Sequence, residues 1–113
     1  MSSDNLDWLP CEKKIARAAY DAAVAAALAR VMAELKRRAE TARAPSDMSA
    51  IEAYLREARR DIDAIFIYSY PKLPGVFAYA IHKGYLDEGR LSGLAEDKLS
   101  AIRRFLSFAR TNP

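Results

Sequence analysis

Few side chains in this sequence are placed to do chemistry. His82 is the only histidine and Cys11 the only cysteine in 113 residues. Neither has N or S ligands at short spacing, so no zinc site is expected. A single thiol excludes an intrachain disulfide and fits a reducing compartment. Cys11 falls in a first helical turn, where the helix dipole favours a thiolate, but no nearby histidine or acid completes a reactive centre. His82 reads as a surface residue near a helix end. Glu57 and Asp61 lie one helical turn apart, yet an acid–base pair needs a hydrophobic pocket that drives its two pKa values apart. On an arginine-rich helix both carboxylates are better explained by solvation. Gly75, Gly84, Gly89 and Gly93 fall at turns and build no phosphate-cradling loop. No catalysis, metal or cofactor is expected; the chemistry on offer is binding.

Two groups carry that chemistry. One is a polar helix face with Tyr54, Glu52, Arg56, Arg59 and Arg60, and Tyr and Arg dominate interface hot spots. The other is the aromatic set Phe66, Tyr68, Tyr70, Phe77, Tyr79 and Tyr85, expected mainly as core and hinge packing. The charge balance narrows the partners. Lys and Arg number 18 against 15 Asp and Glu, a net charge of +3, and the two signs are interleaved. So diffuse an excess disfavours nucleic acid. The Ala22–Ala29 stretch is far too short for a membrane span, and the polar start Met-Ser-Ser-Asp-Asn has no apolar signal region. A cytoplasmic protein is expected.

An all-α fold must position these groups. Residues 10–42 contain no glycine or proline after Pro10 and are rich in Ala, Leu, Lys, Arg and Glu. Such a helix spans about 50 Å. A compact domain of this length has a radius of gyration near 13 Å, so the helix must extend as a stalk. Tyr20, Val24, Leu28, Val31 and Leu35 recur on one face, beside the small residues Ala19, Ala23 and Ala27. Ala44-Pro45-Ser46 ends this helix, and Ser46 or Asp47 is expected to cap the next. Met48, Ile51, Leu55, Ala58, Ile62 and Ile65 then form a second apolar seam. So short a connection makes the two helices antiparallel. Their stripe needs further cover, and a second copy of the chain supplies it. The expected dimer interface is Met48, Ile51 and Leu55 with Leu28, Val31 and Leu35.

Tyr70-Pro71-Lys72-Leu73-Pro74-Gly75 interrupts the helical pattern. A short helix is expected at Val76–Lys83, ended by Gly84, followed by a turn capped by Asp87 and running to Leu91. A last helix at Ala95–Ala109 turns Leu99, Ile102, Leu106 and Phe105 inward, with a frayed tail beyond. The organisation reads as a flexible tail over residues 1–9, a two-helix dimerisation stalk over 10–70 and a helical head over 71–113.

The order of these parts resembles the fluorescence recovery protein family of cyanobacteria from Trp8 to about Phe105. The residues that carry the likeness are Tyr54-Leu55, Arg59, Ile62-Asp63, Phe77-Ala78, Lys83-Gly84 and Leu91 followed by Leu94-Ala95-Glu96-Asp97-Lys98, with Ser100 and Ile102. The resemblance implies an all-α homodimer without a cofactor. It implies binding to the photoactivated orange carotenoid protein, through that protein's C-terminal domain, and acceleration of its return to the resting orange form and release from the phycobilisome. Such a regulator prefers the relaxed or intermediate state of its partner over the active one. Position by position, the family's partner-binding Arg matches Arg59 and the adjacent aromatic matches Tyr54. Its Trp, His and Asp fall on Ser49, Glu52 and Ala53, and a Phe and Lys of the head fall on Gly75 and Ala101. Met48 and Ile51 stay apolar at dimer-contact positions.

Two readings from other classes stand beside this one. A homodimeric DNA-binding regulator would use the helix–Gly84–turn–helix from Phe77 to Phe108 with Arg103, Arg104 and Arg110. Asp87, Glu88, Glu96 and Asp97 oppose it where positive potential is needed. A purely structural dimerisation module is the third.

Overall fold

The computed structural model describes residues 7–111. The chain folds as α1 (Pro10–Thr41), α2 (Pro45–Ile65), α3 (Leu73–Lys83), a single 3₁₀ turn (Glu88–Leu91) and α4 (Glu96–Thr111), with no strand among the described residues. The expected tail over residues 1–6 lies outside the described residues, as do residues 112 and 113. Trp8 corrects the tail at its other end, because it is buried and packs at 5.6 Å against Tyr70. The molecule measures 56 × 27 × 20 Å with a radius of gyration of 16.7 Å. The rod is real, and α1 runs almost its whole length.

Helices α1 and α2 form an antiparallel hairpin. The register is set by Arg38, 4.4 Å over the Tyr54 ring near the tip, and by Tyr20, whose hydroxyl donates to the Phe66 carbonyl at 2.8 Å. Pro45 does not precede α2 but is its first residue, where a missing N–H costs nothing. Ala44 is therefore the cap position, in place of Ser46 or Asp47. Asp47 serves the helix start from inside the first turn, accepting from the Arg43 and Ala44 N–H groups at 2.8 and 3.0 Å.

The core does not lie where the large aliphatic stripe pointed. Ala16, Ala19, Ala23 and Ala27 are the fully buried apolar residues of α1, whereas Val24, Val31 and Leu35 are half-buried and Leu28 is 53% exposed. The alanine stripe lets the head approach closely, and Leu73, Phe77, Leu91, Leu94, Ile102 and Leu106 close over it. The head thus covers the N-terminal half of α1 lengthwise, not merely one end. Helix α2 buries no residue at all, and Met48 near its start is 70% exposed.

Two boundaries and one side chain in the head differ from the sequence expectation. Helix α3 starts at Leu73, because Pro74 and Gly75 fit its first turn and the Ser69 carbonyl receives the Lys72 and Leu73 N–H groups. Helix α4 continues to Thr111, past the expected fraying point. Phe105 turns outward and lies over Gly75, 3.8 Å from where a Cβ would stand, while Ala101, Ile102 and Leu106 face in. Gly84 ends α3 as expected. Its φ of 81° is left-handed, and the bonds from Gly84 N–H to Ile81 and Tyr85 N–H to Ala80 complete a Schellman motif. Asp87 caps the following turn through the Gly89 N–H at 3.0 Å.

Candidate functional site

The expected partner face sits on α2, which amphipathic sequence alone makes a helix and a short loop folds back on α1. Glu52, Arg56, Arg59 and Arg60 are all exposed. Glu52 pairs with Arg56, and Arg59 reaches Asp63 at 3.8 Å. Both are i,i+4 pairs in water and contribute only about 0.3–0.5 kcal/mol each. They order the side chains rather than neutralise the face. Tyr54 does not belong to this group. Two residues from Glu52 it is rotated by about 200° around the helix, and it turns to α1 beneath the Arg38 guanidinium. The structure therefore joins four of the five residues and removes the tyrosine.

The expected dimer residues lie along the stalk as an apolar flank. Met48 and Leu28 are the exposed members; Ile51, Leu55, Val31 and Leu35 are half-buried between the helices. Sequence reading missed Met32, 53% exposed and one turn beyond Leu28. Its i,i+4 relation to Leu28 was the available signal.

Two polar latches hold the head against this stalk. Glu12 is 2% and Lys98 3% exposed, and they pair at 3.0 Å. Glu12 Oε1 also accepts the Leu9 N–H at 2.9 Å, and Oε2 accepts the Ala95 N–H at 2.8 Å. One carboxylate thereby serves the N-termini of both α1 and α4, where the helix dipole favours an anion. Burial alone would raise its pKa, but the two backbone donors and Lys98 outweigh burial and hold it below the usual 4.5. Burial likewise opposes the Lys98 charge, and Glu12 with Asp97 overcomes it and raises that pKa. At the other end of the head, Arg30 donates to the Lys83 carbonyl at 2.9 Å and stacks 4.6 Å over Tyr85. A cation here meets the negative end of α3. Glu12 was legible only as a first-turn acid, and nothing local marked Lys98 as buried.

Between the Arg30 latch and α2 lies a cleft of about 360 Å³. Its floor is Val31, Ala58, Ile62 and Ile65; its walls include Tyr54, Glu57, Asp61, Tyr79, Lys83 and Tyr85. Burial, then Tyr85 and Asp61, raise the Tyr79 pKa, so the phenol stays protonated at neutral pH. The aromatic set expected as packing mostly does pack: Tyr20 meets Tyr68 at 4.9 Å and Phe66 at 5.9 Å, edge to face. Arg17 and Lys13 of α1 lie 4.7 Å over Tyr68 and 5.2 Å over Tyr70. Cys11 and His82 are exposed, and no group of His, Cys, Asp and Glu among the described residues could hold a metal. Among the described residues, no helix is long and apolar enough to cross a membrane.

This architecture has a close counterpart. The structure of the Fremyella diplosiphon fluorescence recovery protein matches it with a TM-score of 0.82 and 28% sequence identity, covering 88% of this chain and 97% of that chain. No curated protein matches the sequence. Residues 8–106 match the family described as photoprotection regulator fluorescence recovery protein. That span runs from buried Trp8 through both latches to buried Leu106, and over it the chain belongs to the fluorescence recovery protein family of photoprotection regulators.

Proposed function

We propose that this chain is a non-enzymatic homodimeric regulator that binds the photoactivated orange carotenoid protein and speeds its return to the resting orange state. The family match over residues 8–106 is the observation that carries this reading. The partner face is Glu52, Arg56, Arg59 and Arg60 on α2, whose ordered arginines offer charge-assisted bonds to an acidic surface. Binding acts by preference: the chain must hold the relaxed or intermediate carotenoid protein more tightly than the active form, since equal affinity shifts nothing. The site is cytoplasmic and uses no cofactor.

Dimerisation supports the same reading. An amphipathic α2 with no fully buried residue in its own protomer, flanked by exposed Leu28, Met32 and Met48, is an apolar surface in want of cover. A second copy covers it through Met48, Ile51, Leu55, Leu28, Met32, Val31 and Leu35. Met48→Glu is expected to halve the mass seen by light scattering at tens of micromolar while leaving the helical content intact. An unchanged mass refutes this interface.

The functional test is direct. The chain should co-elute with the isolated C-terminal domain of the orange carotenoid protein and accelerate dark recovery, and Arg59→Ala should weaken both about tenfold. No complex and no change in recovery rate reject the partner. The DNA-binding alternative gains little from the head, where Glu96, 3.0 Å from Arg103, sets negative charge beside the arginine a duplex would need. Duplex binding that collapses steeply with added salt would restore it.

A further inference from the structure

The inner side of α2 carries a pattern that folding does not need. Tyr54, Ala58, Ile62 and Ile65 face α1, and Glu57 and Asp61 stand beside them in the cleft wall. Like charges one turn apart repel. The other acids of α2 are all engaged: Asp47 at the helix start, Glu52 with Arg56, Asp63 with Arg59. Among the described residues, no ion pair reaches Glu57 or Asp61, and none reaches Lys83 on the facing wall. Lys83 only leans over the Tyr79 ring, at 5.8 Å. Arg30, the other cation there, is already held by the Lys83 carbonyl and Tyr85. The cleft is therefore dipolar, with an acidic α2 wall, a basic α3 wall and an apolar floor between them.

An occupant of uniform charge would be repelled by one wall. An uncharged one would strip water from both walls and return nothing for it. A dipolar occupant with an apolar middle satisfies all three surfaces, and about 360 Å³ accommodates two or three side chains. Resting on the reading that this chain binds a protein, we propose that the cleft seats a short segment of that partner in which a basic side chain stands near an acidic one. The base pairs with Glu57 and Asp61, and the acid pairs with Lys83. This contact is separate from the arginine face on the outside of α2, and it fixes the orientation of the partner across the stalk and head.

The test cancels the acidic wall and inverts the basic one without altering net charge. Asp61→Lys combined with Lys83→Asp sets a lysine beside Glu57 on α2 and an acid on α3, both at exposed positions. Titration of photoactivated orange carotenoid protein by calorimetry at low salt should show binding about tenfold weaker than to the unaltered chain. The light-scattering mass should stay unchanged, and the thermal midpoint should fall by about 5 °C or less, because Lys83→Asp sets an anion at the negative end of α3. If circular dichroism shows that the exchanged variant has lost its helices, Asp61→Asn with Lys83→Gln is read instead, with an expected loss of about fivefold. Binding within about twofold of the unaltered chain overturns the inference and leaves the functional proposal standing. No binding by the unaltered chain itself overturns both.

Discussion

Removing Glu12 should cost more than removing its partner Lys98, although the two form one ion pair. Glu12→Ala strands an ammonium that is 3% exposed and takes the acceptor from two helix starts. Breaking a buried pair from one side costs about 3–5 kcal/mol. Lost capping adds about 1 kcal/mol at each helix. Asp97, 3.3 Å from Lys98 Nζ, returns part of that, so the net loss is expected near 4 kcal/mol. Lys98→Met leaves a different remainder. The carboxylate keeps the Leu9 and Ala95 N–H groups and the positive end of α4, so about 2 kcal/mol is expected. Urea melts followed by circular dichroism separate the two. In heat, at about 4–8 °C per kcal/mol, Glu12→Ala should melt some 15 °C or more below the unaltered chain. Acid supplies a second handle. The folded pKa of Glu12 lies below 4.5, so the folded state binds its proton less readily than the unfolded state. Its contribution is complete above pH 4.5 and fades as the pH falls through the lowered value. The stability gap between the unaltered chain and Glu12→Gln should close on acidification over that window. A Lys98→Met loss equal to or larger than that of Glu12→Ala refutes the double-cap account.

Two further substitutions probe how tightly the head is seated. Gly93→Ala places a Cβ 2.5 Å from Ile15 Cδ1, and pushing that methyl aside should cost about 1 kcal/mol. Adding Ile15→Val removes the obstructing atom, so the double variant should melt above the sum of the two single losses. Arg30→Ala removes the bond to the Lys83 carbonyl and the stack on Tyr85, for about 1 kcal/mol, and should speed amide exchange at Gly84 and Tyr85 while leaving Ala16–Ala23 protected.

Much of this fold is legible because local rules and the final packing agree. The 3.6-residue period, Pro10 and Gly84 announce α1 and the end of α3, and Asp87 announces its turn. The failures share one cause: burial is set by which neighbour arrives, not by side-chain size. Ala23, read only as a neighbour of the aliphatic stripe, is fully buried, because a small side chain admits the head at that distance. Lys98 reads as surface in any window of sequence, and its burial depends on a carboxylate 86 residues away. Tyr54 is the exception, since helical geometry alone separates it from Glu52. Residue types alone suggested the candidate face and the resemblance singled out Tyr54 and Arg59 within it: exposed arginines pair locally in any soluble helix, and no periodicity distinguishes a binding face from a solvated one.

The scaffold and the proposed partner face are also separable in energy. Three side chains of α1 each terminate another helix: Glu12 at the start of α4, Tyr20 at the end of α2 and Arg30 at the end of α3. The Glu12 and Arg30 contacts lie on the head–stalk seam, and the Tyr20 contact lies between the two stalk helices. Ser49, Glu52 and Ala53, where the family resemblance places Trp, His and Asp, are exposed and touch none of them. Exposed positions of this kind change stability by about 0.5 kcal/mol or less. Ser49→Trp, Glu52→His and Ala53→Asp together should therefore leave the unfolding free energy from urea melts within about 1 kcal/mol of the unaltered chain, the Glu52–Arg56 pair being the main loss. The same triple change should tighten binding to the orange carotenoid protein about tenfold or more, because it restores an aromatic anchor and two polar contacts. A triple variant that unfolds shows that the face and the scaffold are one unit. One that folds but binds no better shows that the outer face of α2 does not choose the partner.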